Sequence, residues 1–149
     1  LKDLRGFKPF EGAIDLVDPA KGSPDFLADL LGTFGGVFVN TRRGSFQFLH
    51  AVTGAAAIVE LLPHVKEEQR GTVLAYTWQA TAGILSRYGR DGLNADVDPE
   101  IQVPTVAELT KAAVATGDEH TIKLISACRR EWLRNPDHRL LAAAARRIG

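Results

Sequence analysis

The sequence has no excess charge of either sign, almost no cysteine and none of the short motifs that announce a reaction. Eighteen Lys and Arg residues balance eighteen Asp and Glu, so no net field steers nucleic acid or an anionic membrane towards the chain. Cys128 is the only cysteine. An internal disulfide is thereby excluded, and a reducing, cytoplasmic setting is the expectation. There is no HExxH, no CxxC, no glycine-rich phosphate loop and no GxSxG elbow, which leaves covalent-nucleophile chemistry without support. No internal repeat is evident. Lys2, Asp3, Arg5 and Lys8 interrupt the first residues, so they do not read as a signal peptide. The chain opens at Leu1 rather than Met, as a trimmed start or a piece of a longer protein would.

What is present reads as one helical domain. The 149 residues are 45% hydrophobic and 24% charged, near the soluble globular average and enough to bury a core. Residues 1–24 are broken by Gly and Pro. Ser23-Pro24-Asp25 is a helix start, with Ser23 as cap, and Phe26, Leu27, Leu30, Leu31 and Phe34 follow at helical spacing. Gly35-Gly36 is expected to weaken or end that helix, leaving VFVN as a continuation or a short extended stretch. SFQFLHAVTGAAAIVELL, residues 45–62, is apolar nearly all round a helical wheel, the pattern of a buried central helix. It carries His50 and Glu60 and falls short of the roughly 20 apolar residues of a membrane span. Gly54, mid-helix, is expected to mark the close passage of another backbone. Further helices are predicted over 66–88, 105–116, 118–134 and from Asn135-Pro136 to Arg147, with a long Gly- and Asp-rich loop at 89–104 that has the length of a functional loop or lid. The class is all-α, about six helices around the helix at 45–62.

Histidine supplies the candidate chemistry. His50 lies among Phe46, Ala57 and Leu61 on its wheel, where an unpaired ring nitrogen would cost roughly 1–3 kcal/mol if buried. A bond to some other side chain or carbonyl is the plain explanation, and a metal the sharper one. His120 follows Asp118, an N-cap, in a first helical turn whose dipole disfavours the imidazolium and so favours the metal-binding neutral ring. Lys123 follows His120 at i, i+3, but its wheel position is in the polar arc. An ammonium has no lone pair, so ligation there requires deprotonation or a carbamate. A Glu119–Lys123 ion pair, adding about 0.2–0.5 kcal/mol, is the competing account. His64 and His138 read as surface or capping residues, Cys128 as a core residue. Arg129, Arg130, Arg134, Arg139, Arg146 and Arg147 read as solvated helix faces in preference to a basic patch.

Two stretches, FLHAVTGAAAIVELLPHV (Phe48 to Val65) and AVATGDEHTIKLISACRREW (Ala113 to Trp132), joined by YTWQATAGILSRYG (Tyr76 to Gly89), resemble the carboxyl-terminal part of the questin oxidase-like proteins. The resemblance covers about residues 45–149. It implies a helical oxygenase that oxygenates or cleaves a ring of polycyclic aromatic polyketides such as anthraquinones, at a non-haem iron centre with histidine ligands. His50 and His120 match family histidines, and Lys123 matches the lysine of the second motif. Family members are considerably longer, so the remaining ligands are expected from a missing amino-terminal segment or a second chain. Two histidines alone do not make a stable iron site. The alternative expectation is a non-catalytic helical module that binds a ligand or a protein in the groove beside residues 45–62.

Overall fold

The computed structural model describes residues 6–13, 17, 23–41, 45–89 and 94–149. Among them there is no strand. A single turn, α1 (Lys8–Glu11), precedes six longer helices: α2 (Ser23–Asn40), α3 (Ser45–Leu61), α4 (Glu67–Tyr88), α5 (Val106–Thr116), α6 (Glu119–Arg134) and α7 (His138–Ile148). A 3₁₀ turn at Leu62–His64 follows α3. The capping role expected of Ser23 lies outside the described residues, since the side chains of residues 23–25 are not described.

Helix α2 does not stop at its glycines. It continues unbroken to Asn40, because the glycines are there for approach and not for termination. A Cβ on Gly36 would collide with the carbonyl of Ala95, and one on Gly35 would lie 3.2 Å from the carbonyl oxygen of Arg139. The bare backbone thus seats the 94–97 segment and the start of α7, and this packing outweighs the helix propensity lost at each glycine, about 0.5–1 kcal/mol. Asn40 fixes the crossing: its Nδ2 donates to the carbonyls of Asn94 (3.1 Å) and Asp96 (2.8 Å). The described part of the 89–104 loop is therefore anchored to α2. At the same end Arg146 of α7 donates to the carbonyls of Phe38 (3.2 Å) and Thr41 (2.8 Å), acceptors that the end of a helix leaves without intrahelical donors.

Helix α3 packs against α2, α4 and α6. Phe48, Leu49, Ala51, Val52, Ala55 and Ala56 are its buried residues, and they meet Leu31, Phe34, Leu74, Leu124 and Cys128 in one core. Fully burying a Phe or Leu there stabilises by about 1.5–3 kcal/mol. Ser45–His64 is long and apolar enough to cross a membrane by length and composition alone, yet its buried residues belong to this core.

The expectation of burial all round needs one correction. Phe46, His50, Gly54, Ala57 and Leu61 are exposed; their 3–4-residue spacing makes them one stripe of α3 that no helix among the described residues covers. Gly54 is the clearest case. Among the described residues nothing lies within 4 Å of a Cβ placed on it, so none of their backbone passes there and the close-approach role expected for it is not met.

The carboxyl-terminal helices start on well-formed caps. Thr105 and Glu108 make a reciprocal capping box at α5, and Gly117, at φ 63°, takes the left-handed turn that leads into α6. Helix α7 begins later than expected, at His138, because Asp137 rather than Asn135 is its cap. Its Ala142, Ala143 and Ala144 are buried.

Candidate functional site

The uncovered stripe of α3 lies beside the first turns of α6, and three rings meet there. Phe46 and His50, one turn apart on α3, touch edge to face with centroids 4.6 Å apart. His120 of α6 closes the group, 5.0 Å from Phe46 and 5.5 Å from His50. Phe46 remains 52% exposed, so the cluster is open to solvent on one side.

The start of α6 is held in place from two directions. Asp118 accepts from the backbone N–H of Thr121 (2.8 Å) and from its hydroxyl (2.6 Å). Arg147 of α7 donates to the same carboxylate (2.8 Å) and to Thr121 Oγ1 (2.9 Å). These hydrogen bonds, Thr121's first and then Arg147's, hold the Asp118 carboxyl far below the usual carboxylate range. Neither acid next to His120 hydrogen-bonds it: Nδ1 is 3.7 Å from Glu119 and 3.8 Å from Asp118.

Below the rings a cleft of about 460 Å³ runs between α3 and α6, lined by His50, Thr53, Lys123, Ser126 and Arg130 among others. A second cleft of about 390 Å³ lies on the α4 side of the same stripe, where His50 and Gly54 face Tyr76, Thr77 and Ile84. Lys123 borders the first cleft, but its Nζ is 3.4 Å from Glu119 in the i, i+4 pair that the wheel suggested. At the far end Arg134 bridges Glu131 (2.7 Å) and Glu60 (2.6 Å), tying α6 to α3. The buried Glu131 is pushed up by desolvation even beside that arginine, whereas Glu60 is held down by it.

Of the other sequence candidates, His64 is exposed on the 3₁₀ turn. His138 is neither the cap nor a simple surface residue. It is half-buried, and its Nε2 is enclosed with no hydrogen-bond partner among the described residues. Cys128 is fully buried, and desolvation pushes its thiol up to about 12. That excludes a thiolate at neutral pH.

Among the described residues no three His, Cys, Asp or Glu side chains gather as a metal would require. The paired imidazoles are thus short of an iron site's donor set. Phe46 and Arg130 are the contributors that sequence reasoning did not single out. Phe46 had a signal, its i, i+4 relation to His50; Arg130 had none, because its surroundings depend on where Glu60 of α3 comes to lie.

No family model, no curated protein and no solved structure matches this chain.

Proposed function

We propose that this chain is a helical ligand-binding module, not catalytic by itself, whose ligand is an aromatic small molecule seated against Phe46, His50 and His120. The observation that carries this reading is Phe46: a phenyl ring more than half exposed, touching two imidazoles, on the one face of α3 that no helix covers. Apolar surface left in water at such a face gains about 25 cal/mol per Å² when a ligand covers it, and the imidazoles add ring faces and hydrogen-bonding edges that orient a planar molecule. The lone buried thiol suits the cytoplasmic setting expected from the sequence. The neutral fluorophore N-phenyl-1-naphthylamine tests the site. Phe46→Ala and His50→Ala should each weaken its binding several-fold while the melting temperature moves by only a few degrees; unchanged binding in both would remove the reading.

A second reading keeps the oxygenase that the resemblance implies, acting on polycyclic aromatic polyketides, with His50 and His120 as two of the ligands of a non-haem iron. The observation behind it is proximity: His50 and His120, from different helices, bring their rings within 5.5 Å of each other. The further ligands would come from another segment or chain; Lys123 would have to leave Glu119 and lose its proton or become a carbamate. Anaerobic ferrous titration separates the readings. Near-stoichiometric iron that disappears in both His50→Ala and His120→Ala places the oxygenase first, and a chain that takes up none leaves the module.

A further inference from the structure

Of the three rings only His50 lines the α3–α6 cleft, and the ring cluster leaves the rest of that cleft unexplained. Its charged lining is cationic, with Lys123 and Arg130 on either side of Ser126, and among the described residues no carboxylate lines it. These three residues stand at i, i+3 and i+7 on α6, so the Cα atoms of the two cations are about 10 Å apart along one side of the helix.

Five of the six late arginines divide sharply by what they hold; the sixth, Arg129, is exposed and borders a different cleft with Lys111 and Val114. Arg134 bonds Glu60 and Glu131 at 2.6 and 2.7 Å, Arg139 bonds Asp137 at 2.8 Å, Arg146 bonds two carbonyls of the α2 terminus, and Arg147 bonds Asp118 and Thr121. Each is a structural clamp. Arg130 is not. Its nearest partners are Ser126 Oγ and a Glu60 oxygen, both at 3.5 Å. Its Nε is enclosed without a hydrogen bond among the described residues, and the same Glu60 oxygen is already taken by Arg134 at 2.6 Å. A guanidinium is a planar fork of five donors that fits an oxyanion two bonds at a time. Lys123 is similarly available, since an exposed i, i+4 pair with Glu119 holds it only weakly.

We propose that the ligand of this cleft is an aromatic anion, its ring against Phe46 and His50 and its acidic group, a carboxylate, sulfonate or phenolate, between Lys123 and Arg130. The proposal rests on the reading of the cleft as a ligand site and adds the charge of what fills it.

Two fluorophores with one ring system and different charge test it on the full chain: 8-anilinonaphthalene-1-sulfonate and the neutral N-phenyl-1-naphthylamine. The sulfonate should bind about tenfold more tightly, as charge-assisted hydrogen bonds are the stronger kind, and raised salt should narrow that margin. Arg130→Gln should bring the sulfonate down to the neutral probe's affinity and leave the neutral probe unchanged, whereas Arg130→Lys, which keeps the charge but not the two-bond fork, should keep only part of the preference. Thermal melts of both variants establish that they are folded; if Arg130→Gln is not, Lys123→Gln, at an exposed side chain, carries the test, and a margin it leaves unchanged overturns the proposal. Equal affinity for the two probes, or a margin that survives Arg130→Gln, overturns the proposal. If Phe46→Ala weakens both probes and Arg130→Gln weakens neither, the cleft remains a ligand site and only the anion is lost. If Phe46→Ala and His50→Ala weaken neither, both readings fall together.

Discussion

Gly36 and Ala95 are in backbone contact: there is no room for a methyl group between the α2 glycine and the Ala95 carbonyl. Gly54 is its opposite, a glycine in α3 with open space above it. The two should respond to alanine with opposite signs. Gly36→Ala must displace a backbone segment held by Asn40 and should cost about 1–3 kcal/mol. Gly54→Ala meets nothing and should stabilise by about 0.5–1 kcal/mol through helix propensity. Urea unfolding of the two variants checks this, and a destabilised Gly54→Ala would mean that the stripe is covered after all.

Phe46 and Phe48 are two residues apart, and only one is structural. Phe48 is fully buried, so Phe48→Ala should cost about 3–5 kcal/mol. Phe46→Ala should cost under about 1 kcal/mol, its ring being more than half exposed. Equal losses in denaturant melts would show Phe46 to be a core residue and not a binding one.

Asp118 gives the fold an acid-side dependence. Its carboxyl is held far below its ordinary value of 3.8 by Thr121 and Arg147, so between those two values the unfolded chain binds the extra proton. The stabilisation is complete above pH 3.8 and declines as pH falls further. Asp118→Asn should therefore melt below the wild type at pH 7, and the gap should narrow as the pH is lowered beneath 3.8. A gap that stays constant down to pH 2 would show that the carboxylate's charge contributes nothing.

The Cys128 thiol, buried and pushed up to about 12, should react with Ellman's reagent only when the core opens. Its rate should rise with denaturant in step with unfolding; immediate reaction in the native protein would contradict the packing of α6 on α3.

Local pattern and tertiary placement explain what could be read from the residues. Helix α3 was legible because an apolar, alanine-rich run from Ser45 to Pro63 is too long for a strand and suits a helix, and α6 because Asp118 and Gly117 form a start signal of their own. The uncovered stripe was not. A wheel gives the polarity of a helix on every side but not the number of neighbours, and α3 is apolar on the side where Phe46, Gly54 and Leu61 meet solvent. Gly36 and Gly54 were misjudged for the same reason: both are mid-helix glycines, and only the path of residues 94–97 distinguishes them. His50 and His120 could be nominated from their motifs, but the ring that joins them, and the arginine left under-bonded below them, depend on how α3 and α6 cross.

The clasp that Arg146 makes on Phe38 spans 108 residues of chain. During synthesis α2 leaves the ribosome long before α7 exists, and at about 5–20 residues per second its glycine face waits roughly 5–20 s for the helix that covers it. In that interval α2 and α3 pack on each other and then on α4 and α6 as these emerge, while the apolar surface meant for α7 stays open to whatever else is in the cell. Closure of this domain is a late, non-local event, which makes the nascent chain, more than the finished protein, the form most exposed to aggregation and most dependent on chaperones.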